Sequence, residues 1–133
     1  MRIVQLSDTH VSHLGGVPAE NLSLLADHIN HDIRPDLVIH TGDVVIADPD
    51  SAADRDAAKA LLARIDAPLL VLPGNHDVGE SADDPWMGLA VTSERIAAFD
   101  EIVEVQHSAA SLQEALRDKN AETHVTRVAG SGR

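Results

Sequence analysis

A chain of 133 residues has room for one domain with a modest core. Its 22 acidic against 10 basic residues give a formal net charge of −12, which argues against nonspecific nucleic-acid binding and against docking on anionic lipid. With no cysteine, no Tyr, one Phe and one Trp, it has neither a disulfide framework nor a thiolate metal site, and its core must be Leu, Val, Ile and Ala. A small phosphate-bearing substrate stays open, because divalent cations can invert the local field.

Met1 to Leu6, with Ile3, Val4 and Leu6 apolar, reads as the first strand. Because this strand starts at once, no room is expected for a signal peptide. No apolar run approaches the roughly 20 residues of a membrane span, so a cytoplasmic location is the default. Ser7 to Pro18 is a loop, broken by Gly15-Gly16 and Pro18. Asn21 is expected to cap a helix running to about Asn30, with Leu22, Leu25, Ala26 and Ile29 on one face. Arg34-Pro35-Asp36 closes that region, since a residue before proline disfavours the helical basin. Leu37 to His40 is the second strand, and Thr41 to Asp50 an acidic loop. A second helix from about Ser51 to Ile65 carries the stripe Ala57, Ala58, Leu61, Leu62 and Ile65. Asp66-Ala67-Pro68 turns the chain into a third strand ending at Leu72. Strand–helix–strand–helix–strand with short connections implies an α/β fold with a parallel sheet and right-handed crossovers.

After the third strand comes a loop with Gly79, the acidic run Glu80, Asp83 and Asp84, and Pro85-Trp86, where Trp86 is expected to be a packing anchor. A helix from Thr92 to Gln106 follows, with Ile96, Phe99, Ile102 and Val103 on one face. Ser111-Leu112-Gln113-Glu114 reads as a capping box for a short helix through Lys119, and Ala121 to Arg133 as a flexible tail. The division is thus 1–106 as the domain and 107–133 as a short helix and tail.

The three strands end alike. Ile3-Val4-Gln5-Leu6 runs into Asp8-Thr9-His10, Leu37-Val38-Ile39-His40 into Thr41-Gly42-Asp43, and the third strand into Gly74-Asn75-His76-Asp77. Each tip offers oxygen or nitrogen donors suited to a hard or borderline metal ion. In an open parallel sheet, ligands gather outside the carboxyl ends of the strands, so the tips are expected to converge on one metal site. Other histidines have plainer readings. His40 inside an apolar strand is expected in the core, His13 on the surface, and His28 and His31 in favourable contact with a helix C-terminus.

In that order, Asp8-Thr9-His10, Thr41-Gly42-Asp43 and Gly74-Asn75-His76-Asp77 resemble the first three motifs of the calcineurin-like metallophosphoesterase superfamily. Asp-Thr-His and the run from Arg34 to Asp43 look most like bacterial cyclic-nucleotide and glycerophosphodiester phosphodiesterases. The resemblance implies half of a four-layer sandwich and two divalent ions, Mn, Fe or Zn. Asp8 and His10 would bind the first ion, Asp43 would bridge both, and Asn75 would bind the second. His76 would be catalytic beside the substrate, with Asp77 as its orienting partner. Gly42 and Gly74 would let the backbone turn sharply beside the ions. The implied activity is hydrolysis of a phosphodiester or cyclic nucleotide by a metal-activated hydroxide, on a small phosphate ester and not on a nucleic-acid polymer or at a membrane.

The resemblance covers roughly residues 1 to 100. Family members continue with a lone His and a Gly-His-x-His motif, whereas this chain has only His107 and His124 later on. The first ion keeps Asp8, His10 and Asp43, the second only Asp43 and Asn75. An inactive truncated remnant is therefore an alternative. So is a half-domain whose exposed sheet face is covered by a second copy or another chain.

Overall fold

The computed structural model describes residues 1–46, 48–81, 83 and 88–103, with 103 and the strand 124–127 described by backbone only. Strand β1 (Arg2–Leu6) leads to helix α1 (Val17–His28), which continues as a wider, π-helical turn, Ile29–Ile33. Strand β2 (Leu37–His40), helix α2 (Ala52–Leu62) and strand β3 (Leu69–Val71) follow. A single turn α3 (Asn75–Val78), helix α4 (Ser93–Val103) and strand β4 (His124–Arg127) complete the described elements. The sheet order is β3-β2-β1-β4, and all pairings are parallel.

Register decides which side chains share a face. Val4 pairs with Val38, Leu6 with His40, Val38 with Leu69 and His40 with Val71, and these side chains point into the core. There they pack with Leu22, Ala26 and Ile29 of α1, with Ala58 and Leu62 of α2, and with Phe99 and Ile102 of α4. The opposite face carries Ile3, Gln5, Ile39 and Leu70, with Leu72 just beyond the strand; Leu70 is 39% exposed and Leu72 54%. No helix among the described residues is long and apolar enough to cross a membrane.

The elements depart from the sequence expectations in four places. Helix α1 begins at Val17 rather than at Asn21, with Gly16 as its cap and Pro18 in the first turn. Proline there loses no helical hydrogen bond, so Pro18 starts the helix instead of breaking it. Its end overruns Asn30 and closes where the left-handed Arg34 (φ 48°) donates its amide to the Ile29 carbonyl at 2.8 Å. Ile96, expected on the buried face of α4, is 45% exposed, and Phe99 and Ile102 carry that face. Within the expected flexible tail, 124–127 pairs with β1, which would otherwise present unpaired amides and carbonyls along a sheet edge. The rest of that tail, the expected helix from Ser111, residues 104–106 and Trp86 lie outside the described residues. Helix α2 starts as expected, Ser51 accepting from the Asp54 amide at 3.2 Å.

Candidate metal centre

The loops after β1 and β2 keep pairing beyond the strands. Asp8 N–H donates to the Gly42 carbonyl (3.0 Å), His10 N–H to Asp43 (3.0 Å) and Val11 N–H to Val44 (2.7 Å), while Ile46 N–H returns to Val11 (3.0 Å). Three residues of this ladder, Asp8 (φ 57°), His10 (φ 47°) and Asp43 (φ 56°), lie in the left-handed region. Among the described residues, Arg34 alone shares that conformation without being glycine. Such backbone costs about 1–3 kcal/mol per residue and persists only where the surroundings over-determine it. Here it turns three ligand-type side chains to one place: donor atoms of Asp8, His10 and Asp43 all lie within 4.8 Å of one another. His10 Nε2 stands 3.8 Å from Asp8 Oδ1, and His10 Nδ1 is buried with no hydrogen-bond partner among the described residues. Two carboxylates and an imidazole suit a borderline divalent ion, and a buried ring nitrogen without a partner is a group such an ion would satisfy. The residues fit.

The third tip closes on the second by backbone contact. A Cβ on Gly74 would lie 2.1 Å from Asp43 Oδ1 and 2.5 Å from the Asp43 amide. Gly74 itself is extended (φ −105°), so it is needed for close approach and not for the sharp turn expected of it. Gly42 is the residue that turns, at φ +111°, and a Cβ there would meet the Gly74 amide at 2.7 Å. His76 N–H donates to Asp43 Oδ1 at 3.1 Å, and the amide nitrogen of Asn75 donates to Glu80 Oε1 at 3.0 Å. His10 and His76 meet edge-on, ring centroids 4.7 Å apart.

Asp77 does not orient His76. Its carboxylate is 2% exposed and accepts from the backbone amides of Val44 (3.0 and 3.1 Å), Val45 (2.9 Å) and Gly74 (2.8 Å). It thereby clips the second tip to the third. Burial pushes its carboxyl up, the three amides oppose that, and neighbouring Asp43 adds to the rise. The partner of His76 is the Ile46 carbonyl, to which Nδ1 donates. A carbonyl can only accept, so Nδ1 carries the proton, and Nε2 has no partner among the described residues.

His40 is in the core, as expected. Gly42 N–H donates to its Nδ1 (3.2 Å), so Nε2–H donates to the Thr9 hydroxyl (2.9 Å), which lies 3.3 Å from the Val44 carbonyl. Burial lowers its pKa from 6.5 to about 4, although Asp8 and Asp43 pull the other way. A histidine charged more easily unfolded than folded adds stability that is complete above pH 6.5 and lost as pH falls toward 4. The shift corresponds to about 3 kcal/mol. Urea unfolding between pH 7 and 4 is expected to show that loss and His40→Gln to remove its share of the slope; identical slopes would contradict it.

His13 lies at the surface end of the first loop, pinned to α2 by Asp54, which accepts from its amide (2.7 Å) and its Nδ1 (2.6 Å). Burial pushes the Asp54 carboxyl up, but His13 and the Ser51 and Ser12 hydroxyls outweigh it and hold it low. His28 pairs with Asp32 and His31 with the Asp27 carbonyl at the end of α1. His124 pairs in register with Arg2, at the end of β1 opposite to Asp8. His107 lies outside the described residues. Sequence reasoning missed Thr9, Ile46 and Glu80. Thr9 stands in the middle of Asp-Thr-His, Glu80 stands in an acidic run that draws it into the surface charge, and Ile46 acts through a carbonyl that every residue has.

A sequence profile described as calcineurin-like phosphoesterase matches residues 1–128. A curated relative, the probable glycerophosphodiester phosphodiesterase GpdQ of Arcobacter nitrofigilis, is 35% identical over 88 residues, covering 61% of this chain and 32% of the relative. The chain thus spans about a third of the length of the relative it matches.

Proposed function

Because the chain belongs to the calcineurin-like phosphoesterase family, we propose that it is a metal-dependent phosphoesterase working at the tips of β1, β2 and β3. The observation that carries this reading is the meeting of Asp8, His10 and Asp43 within 4.8 Å on left-handed backbone. In this reading Asp8, His10 and Asp43 would hold a first divalent ion, and Asp43 with the Asn75 amide oxygen would serve a second. Manganese, iron and zinc all suit that donor set. Bound there, the ions would neutralise phosphoryl charge and acidify water. His76, fixed through Nδ1 on Ile46, presents Nε2 to the substrate; with a second proton on Nε2 the ring would donate to a phosphoryl oxygen or pass that proton to the leaving oxygen. Asp77 acts through the backbone it holds. The substrate is a small phosphodiester, a choice supported by the name of the relative, or a cyclic nucleotide, which carries the same phosphodiester group.

Calorimetric titration with Mn²⁺, beside hydrolysis of an aryl phosphodiester, tests the reading. Wild type is expected to bind ions and turn over, and Asp43→Ala to lose affinity by more than the ~10–100-fold that follows loss of an outer partner. Equal binding by the two proteins would sink it. A second reading is favoured by the exposure of Leu70 and Leu72: another chain or copy covers that sheet face and completes the second ion's ligands. Sedimentation as a monomer, with two ions bound, would exclude it.

A further inference from the structure

We infer that Glu80 is a positioning residue for Asn75, holding its side-chain amide so that oxygen rather than nitrogen is turned to the Asp43 carboxylate. This rests on the phosphoesterase reading, in which Asn75 is a ligand. An amide has two ends of similar shape and opposite chemistry: the oxygen can bind a cation, whereas the NH₂ presents only donors. Which end faces the site is decided by what holds the other end. Glu80 Oε1 lies 3.0 Å from Asn75 Nδ2, and a carboxylate accepts only, so the nitrogen belongs to Glu80 and the oxygen to the other side.

The backbone around Asn75 meets Asp43. A Cβ on the residue before Asn75 would lie 2.1 Å from Asp43 Oδ1, and the residue after donates its amide to Asp43 Oδ1 at 3.1 Å. Asn75 is therefore flanked on both sides by backbone that touches the shared ligand.

Glu80 is itself held in place. Its amide donates to the Leu89 carbonyl (2.7 Å) and its carbonyl accepts from Val91 (2.9 Å). Just before it, Gly79 sits at φ +95°, where a Cβ would lie 2.6 Å from the Leu89 carbonyl and 2.7 Å from the Ala90 carbonyl. Gly79 N–H also closes α3 on the Asn75 carbonyl at 2.9 Å. The short turn α3 and the segment 89–91 thus present Glu80 to Asn75 from a fixed backbone. A bond that merely tied off the turn would need none of this and would leave metal uptake alone.

Mn²⁺ titration followed by electron paramagnetic resonance and calorimetry on the full chain separates these roles, with wild type, Glu80→Ala and Glu80→Gln compared. Glu80→Ala is expected to keep the first ion and to bind the second about 10–100-fold more weakly, losing the coupled two-ion signal at limiting metal. Glu80→Gln still offers an oxygen acceptor and is expected to restore the second ion to within a few-fold of wild type. Two ions bound by Glu80→Ala as tightly as by wild type would overturn the inference. So would loss of both ions together, or a Gln variant no better than the Ala variant. A wild-type protein that takes up no second ion would instead bring down the two-ion reading itself, and the role of Glu80 with it.

Discussion

Replacing Asp77 with alanine is expected to destabilise the fold by about 3–5 kcal/mol, measured by urea denaturation at neutral pH. The carboxylate is 2% exposed and serves three amides from two separate loops, those of Val44, Val45 and Gly74. Truncation would leave these donors buried without an acceptor, each an unmet demand of about 1–3 kcal/mol before relaxation. Asp77→Asn should recover part of the loss, because one oxygen remains while the new NH₂ confronts an amide donor. If Asp77 served only to orient His76, truncation would spare stability and change catalysis alone. A loss under about 1 kcal/mol would show that the amides find other acceptors and that the two loops are held together some other way.

Gly74→Ala is expected to abolish tight metal binding while leaving a folded protein. Its backbone is extended, so a side chain meets no conformational penalty there. The obstacle is the place the new methyl would occupy, 2.1 Å from Asp43 Oδ1 and 2.5 Å from the Asp43 amide. Swinging the carboxylate away relieves only the first contact, and the second, being backbone, obliges the two loops to part as well. We expect Mn²⁺ affinity to fall about 100-fold and stability by about 1–3 kcal/mol. Gly15→Ala is the contrasting substitution: nothing lies within 4 Å of its Cβ, but φ is +77°. It should cost about 1–2 kcal/mol of backbone strain and leave metal binding unchanged. Wild-type affinity in Gly74→Ala would mean that Asp43 is not a ligand in the position seen.

Much of the scaffold could be read from local signals. The second strand and the second helix stand almost where the apolar runs, Ser51 and the proline at 68 placed them, because each is bounded by residues with strong conformational preferences. Helix α1 was misplaced at both ends, since Pro18 both breaks and begins helices and only the loop before it decides which. Strand β4 depends on pairing with β1 across most of the chain, which no local pattern records. The tips were legible as a group, because oxygen and nitrogen donors after apolar runs are unusual three times over. Their partners were not. Asp77 is bonded to amides more than 30 residues away, and type and position said only that a carboxylate stood beside a histidine. Ile46 illustrates the deeper limit, since its contribution lies in the backbone and is independent of its side chain.

The sheet face bearing Leu70 and Leu72 also sets the colloidal behaviour of the molecule. At neutral pH copies meet as like-charged bodies carrying −12, a repulsion that any second copy covering that apolar surface must overcome. The charge vanishes at the isoelectric point, near pH 4.8, while the leucines stay where they are. Mild acid therefore removes the barrier to association in the same range in which it begins to charge His40.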